Sequence, residues 1–145
     1  KTGECRYRQS RKDKVALARG KRKKSIARAT IRKGKGKIQI NKKLLNSYYN
    51  NRYMREIALE PLRYVGDKSN AIDVDVNVRG GGQMGQAQAT RVAIANALVD
   101  FFGEDNLRQK FLSIDKSLVI EDVRRVETKK YKGPKARARY QKSYR

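Results

Sequence analysis

Histidine is absent from this chain of 145 residues, and cysteine occurs once, at Cys5. Without His, imidazole acid–base catalysis, Ser–His and Cys–His nucleophile pairs and Cys2His2 zinc sites are excluded. One Cys cannot close an intrachain disulfide, so a disulfide-stapled secreted scaffold is excluded as well. Cys5, among cations near the start, reads as an unpaired thiol in a mobile arm. Long apolar runs are missing too. None approaches the ~20 residues of a membrane helix, and no secretory hydrophobic segment stands near the start. Acids are scarce, 14 against 37 Lys and Arg, and they do not converge into a catalytic pattern. The expectation is a cytoplasmic chain with no catalytic residue, no metal ligand, no cofactor and no membrane partner.

What is present in excess is positive charge. The formal net charge is +23, beside a hydrophobic fraction of 38%. The length suits one domain with a modest core. So large a charge opposes compaction by self-repulsion unless a polyanion offsets it. Nucleic acid is the commonest such partner; an anionic membrane surface and a charged secreted peptide are the alternatives. The charge is also segregated. Residues 1–37 hold 16 Lys/Arg and 2 acids, net +14; residues 38–123 hold 11 of each; residues 124–145 hold 10 Lys/Arg and 1 acid, net +9. This pattern predicts a basic extension at 1–13, a globular body at 14–123 and an extended basic tail at 124–145. Both ends are poor in large apolar residues and cannot fold alone.

The body shows two periodicities. Ile26 to Arg32 alternates, with Arg28, Thr30 and Arg32 on one face and Ala27, Ala29 and Ile31 on the other, which predicts a half-buried strand; Val15 and Leu17 belong to it or start just before it. Ile38–Asn41 alternates again, so the spacing predicts a hairpin around the loop 33–37. Lys33, Lys35 and Lys37 in that loop suit phosphate contact, and equally suit simple solubility beside two turn glycines. Residues 44–60 read as helix, broken at Asn50-Asn51 and ended by Pro61. Ile72, Val74, Val76 and Val78 mark the clearest strand, with Asp73, Asp75 and Asn77 on its solvent face. Two Asp at this spacing could suggest a metal or acid pair, but a polar strand face is the ordinary explanation. A helix is predicted over roughly 86–102, with Ala87, Ile94, Ala97, Leu98 and Phe101 on one face, Thr90 at its border and Gly103 as its stop. A short helix around Glu104–Phe111 and an edge strand over 117–120 complete the body.

Two segments carry candidate chemistry. Arg79-Gly80-Gly81-Gly82-Gln83-Met84-Gly85-Gln86 joins the clearest strand to a helix. It is neither a Walker A loop nor a dinucleotide fingerprint. Two readings stand side by side: backbone approach to an RNA phosphate, or glycines that only permit positive φ in a tight turn. The tail interleaves Arg124, Arg125, Lys129, Lys130, Lys132, Lys135, Arg137, Arg139 and Lys142 with Tyr131, Tyr140 and Tyr144. Its cations can displace counterions from phosphates and its rings can stack on exposed bases. With one acid among 22 residues, Glu127, it cannot pair its own charge.

Three stretches resemble the universal S-nine family of small-subunit ribosomal proteins. They are Gly20-Lys21-Arg22-Lys23-Lys24-Ser25-Ile26-Ala27-Arg28-Ala29, the segment Arg79 to Ala87, and Gly133-Pro134-Lys135-Ala136-Arg137-Ala138-Arg139-Tyr140-Gln141-Lys142-Ser143-Tyr144-Arg145. The resemblance covers about residues 14–145. The ending Gln-Lys-Ser-Tyr-Arg looks archaeal or eukaryotic, and Gly-Gly-Gly-Gln-Met-Gly-Gln looks archaeal. It implies a two-layer α+β sandwich with a left-handed βαβ crossover, plus extended basic N- and C-terminal arms. It implies docking on ribosomal RNA of the subunit head, beside neighbouring ribosomal proteins, through Lys21, Arg22, Lys23, Lys24, Arg28, the loop lysines, Arg79 to Gly82 and the tail cations. Lys142, Ser143, Tyr144 and above all Arg145 would approach the anticodon stem-loop of the peptidyl-site tRNA. Residues 1–13 extend beyond the usual archaeal start, so no role carries over to them. A nuclease on the same fold would need an acid–base cluster that is missing. A DNA reader would need a basic groove-reading helix, whereas these helices fall in the neutral middle.

Overall fold

Small and β-branched residues at alternate positions build the centre of the structure. The computed structural model describes residues 14–103 and 105–143. Its strands are β1 (Val15–Arg22), β2 (Ser25–Lys33), β3 (Ile38–Ile40), β4 (Lys43–Leu44) and β5 (Ile72–Arg79). Its helices are α1 (Leu45–Tyr48), α2 (Arg52–Val65), α3 (Gln83–Phe102) and α4 (Asp105–Ile114). The strands form one five-stranded sheet in the order β1-β2-β5-β3-β4. β2 runs antiparallel to both its neighbours, β1 and β5, while β3 lies parallel to β5, joined to it through α2. Helices cover one face only, giving the expected two-layer α+β arrangement.

Alternation decides which face is covered. Ala27, Ala29 and Ile31 of β2 and Ile72, Val74, Val76 and Val78 of β5 are buried, and the residues between them face outward. α3 lies across β1 and β2 and against α2. It approaches so closely that a Cβ at Gly20 would stand 2.3 Å from the Ala89 carbonyl oxygen and 2.5 Å from the Ala93 nitrogen. The alanines of both elements permit that approach. The helix is buried on more than the one predicted face: Ala89, Val92, Ala93 and Ala95 are buried as well. A helix enclosed by a sheet on one side and helices on the other shows this pattern. Thr90, expected at the border, is fully buried, with its hydroxyl 3.4 Å from that of Tyr49. Gly103 ends the helix in left-handed conformation, as its position predicted.

Three further expectations are corrected. The loop 33–37 does not close a hairpin, because β5 inserts between β2 and β3. Its four apolar residues make β5 the best core strand, and the middle of the sheet is the most buried place. The loop instead wraps the start of β5: Gly34 N donates to Ala71 O at 2.9 Å, and the Asp73 carboxylate accepts from Lys35 N at 2.8 Å and Lys37 N at 2.9 Å. The real hairpins are β1–β2, turning at Lys23-Lys24, and β3–β4, turning at Asn41-Lys42 with positive φ at both residues. Pro61 does not end its helix, which runs on to Val65. Proline removes one backbone hydrogen bond, and burial of Pro61 and Leu62 in the core offsets that loss. Residues 117–120 form no strand. The Asp115 carboxylate accepts from Ser117 N at 2.8 Å and from its hydroxyl at 2.7 Å, curling Lys116–Leu118 into a 3-10 turn.

A half-buried ion cluster ties the helical layer together. Arg91 of α3 meets Glu60 of α2 at 2.7 Å and Asp115 at 2.8 Å, and donates to the Ser117 hydroxyl at 3.2 Å. Beyond Val123, residues 124–143 contain no helix or strand, and turns occupy part of 131–137.

Candidate nucleic-acid interface

The uncovered sheet face is polarised along its strands. Strand register sets its side chains in rows: Lys21–Ile26–Arg79, Arg19–Arg28–Asn77, Leu17–Thr30–Asp75 and Val15–Arg32–Asp73. The first two rows hold Lys21, Arg79, Arg19 and Arg28; both aspartates lie in the other two. Arg19 and Arg28 stand directly opposite each other on neighbouring strands, an arrangement that costs stability between like charges. Arg19 reaches one acid, Glu121, at 3.8 Å. Ile26, Arg28, Asn77 and Arg79 line a shallow cleft of about 170 Å³ at this end.

The same end collects the other candidate groups. The β1–β2 turn presents Lys23 and Lys24, and β5 runs into the glycine loop and the start of α3. The loop glycines fall into two kinds. Gly80 and Gly81 have φ of +72° and +68°, and a Cβ on them would lie 2.7 Å from Lys24 O and 2.0 Å from Ser25 Oγ. They are needed so that the hairpin turn can pack on the loop. Gly82 has ordinary extended backbone, with nothing within 4 Å of its Cβ position. It stands at the N-cap of a 20-residue helix and supplies no side-chain cap. Helix-start amides and the helix dipole favour an anion at such a place. Gln86 steadies the loop, donating to Gly80 O at 3.2 Å and accepting from Tyr48 Oη at 2.9 Å.

Not every predicted cation is equally free. Arg22 turns inward: its side chain is 18% exposed, pairs with Asp122 and donates to Gln88 at 2.8 Å. Arg124 closes on the same carboxylate at 2.6 Å. Arg22 and Asp122 also form a parallel β-bridge, which anchors the origin of the tail beside the basic end of the sheet. Lys33, Lys35 and Lys37 are exposed but lie at the opposite end, since Lys33 pairs with Ile72 while Ile26 pairs with Arg79. Seven residues of strand separate the two ends by roughly 23 Å. The backbone amides of Lys35 and Lys37 are taken by Asp73, and those two bonds hold its carboxyl below the usual range. In the tail, Arg125, Lys129, Lys132, Lys135, Arg139 and Lys142 are exposed, whereas Glu127 accepts from Arg137 at 2.9 Å and meets Lys130 at 3.0 Å. Those partners, Arg137 first, depress the Glu127 pKa. Ser143 is exposed; Tyr144, Arg145, Cys5 and the extension 1–13 lie outside the described residues.

Arg19 was not among the predicted contacts. Alternation from Val15 onward puts it on the same face as Lys21, so the signal was present once β1 was separated from β2. Among the described residues no group of three or more acids or cysteines could hold a metal ion. No described helix is long and apolar enough to cross a membrane.

Comparisons with known proteins agree with one another. A family model described as ribosomal protein S9/S16 matches residues 20–145. The chain is 50% identical over 130 residues to the small ribosomal subunit protein uS9 of Picrophilus torridus, covering 87% of this chain and 94% of that protein. It is 46% identical over 132 residues to uS9 of Halobacterium salinarum, covering 90% and 99%. The same identity extends over 136 residues to uS9 of Methanococcus maripaludis, covering 91% and 99%. With the model match running from the β1–β2 hairpin to the last residue and these archaeal relatives covering most of the chain, the protein belongs to the ribosomal protein S9/S16 family.

Proposed function

We propose that this chain docks on ribosomal RNA in the head of the small subunit and reaches the peptidyl-site tRNA with the end of its tail. The role is structural, not enzymatic, as in the family to which it belongs. The observation that carries the RNA reading is the gathering of Arg19, Lys21, Lys24, Arg28 and Arg79 with the open start of α3 at one end of an uncovered sheet. Cations facing one another across strands are stabilised by phosphates placed between them. The body, 14–123, docks by this end; Arg22 and Arg124 hold the tail's origin, and the tail cations neutralise backbone as the chain threads through RNA. The lysine loop 33–37 offers ammonium groups to a second RNA segment at the far end. Neighbouring head proteins pack beside it in the cytoplasmic ribosome.

The tRNA contact belongs to Lys142, Ser143, Tyr144 and Arg145, with the Arg145 guanidinium on a phosphate of the anticodon stem-loop. Its support is the ending Gln-Lys-Ser-Tyr-Arg, shared in pattern with the family. Deleting residues 142–145 tests it. Purified subunits carrying the truncated chain should assemble normally yet bind peptidyl-site tRNA several-fold more weakly; unchanged tRNA affinity would remove this part of the reading.

A further inference from the structure

The tail is not a featureless basic thread. After Val123 the chain runs to Tyr131 and then reverses. Lys132 takes a positive φ of 58°, and Gly133 lies so close to the returning segment that a Cβ there would stand 2.2 Å from Ala138 O. Glu127 clasps the reversal through Arg137 and Lys130. The two arms enclose a cleft of about 750 Å³, within the range of pockets that hold one small ligand. Tyr131 and Tyr140 line it, 87% and 65% exposed, so both rings stay largely open; the Lys132 ammonium stands over one face of the Tyr131 ring, 5.7 Å from its centre. Lys129, Lys132, Arg139 and Lys142 line it as well, and no acid does.

We propose that this clasped turn receives one unpaired nucleotide of RNA, its base against Tyr131 or Tyr140 and its flanking phosphates on the surrounding cations. The inference rests on the RNA-binding reading above and deepens it by naming the ligand. Exposed aromatic faces inside a cationic cleft match a base with a free π-face and a phosphate on either side. A duplex has its bases stacked and paired and offers no such face. Glu127 is then a positioning residue: it contributes negative charge to an RNA-binding tail because it shapes the turn.

The test uses the full chain, a labelled single-stranded uridine dodecamer and a duplex RNA of equal length. Tyr131→Leu with Tyr140→Leu, which leaves the charge unchanged, should weaken single-strand binding about ten-fold or more and leave duplex affinity within about two-fold. Equal loss on both RNAs, or no loss on the single strand, overturns the cleft while leaving RNA binding intact. Failure of the unaltered chain to bind either RNA would instead sink the RNA-binding reading, and the cleft with it. Glu127→Gln separates shape from charge. Charge counting alone makes this variant bind every RNA more tightly, whereas an opened clasp weakens the single strand selectively; a gain on both overturns the positioning role. Photo-cross-linking with iodouridine in the same strand should attach to Tyr131 or Tyr140, and cross-links confined to the body count against the proposal.

Discussion

Tyr49 and Thr90 meet in the interior, where neither hydroxyl reaches water. Tyr49 is 2% exposed, and burial pushes its phenol up to about 12 from an ordinary value of 10.0, although the Thr90 hydroxyl pulls slightly the other way. The sign of the consequence follows from proton counting. Between pH 10 and about 12 the unfolded phenol has released its proton and the folded one has kept it, so folding loses stability as pH rises through that window. Below pH 10 the group contributes no pH dependence. Tyr49→Phe should therefore flatten the alkaline end of the stability curve, measured by denaturant unfolding at several pH values. At neutral pH it should cost roughly 0.5–1 kcal/mol, because Thr90 loses the Tyr49 hydroxyl as a partner and their 3.4 Å contact is a long hydrogen bond. An alkaline limb identical in the two proteins would contradict the assignment. Sequence pattern set Thr90 at the border of the apolar stripe of α3, because it could not supply a partner 41 positions earlier. A polar residue on an apolar stripe is resolved only by what faces it.

The glycine loop shows the same limit for an element. Three adjacent glycines look interchangeable in sequence, yet their surroundings separate them. Gly81→Ala forces a side chain into left-handed backbone and onto Ser25, and should destabilise the fold by about 2 kcal/mol or more. Gly82→Ser meets open space and adds a helix cap, so it should raise stability by a few tenths of a kcal/mol. If the start of α3 receives a phosphate, the new hydroxyl competes for the same amides, and affinity for small-subunit RNA should fall while stability does not. Unfolding and RNA-binding curves on the two variants check both halves; a Gly82→Ser protein that binds RNA as tightly as before would assign the loop to packing alone. Strand and helix identities were legible wherever a period persisted, as in Ile72 to Val78 and across α3. Pairing was not. Alternation at 26–32 and 38–41 suggested a hairpin, but a strand more than thirty residues later, apolar at every second position, took the place between them. Local hydrogen bonds by Asp115 and core burial of Pro61 overrode the short-range signals at 117–120 and 61.

At the scale of the whole molecule, charge segregation is the property that survived translation into three dimensions, and the fold adds direction to it. Residues 38–123 are neutral in sum, but the hairpin that precedes them and β5 place Arg19, Lys21, Arg28 and Arg79 at the end from which the tail departs. On the proposed reading, body and tail together serve as one basic track for RNA. The isolated chain should bind RNA with a steep salt dependence, each neutralised phosphate adding about 0.7–0.9 to the log–log slope. Ending the chain at Val123 removes a net +9. That truncation should lower the slope by several units while the unfolding transition stays where it was, because residues 124–143 add no helix or strand to the core. The Arg22–Asp122 bridge lies on the retained side and keeps the body's edge closed. A slope unchanged by the truncation would mean that the tail's cations stay hydrated beside bound RNA, and the track would shrink to the sheet end alone. A slope lowered together with the unfolding midpoint would mean instead that the tail packs on the body and supports its fold.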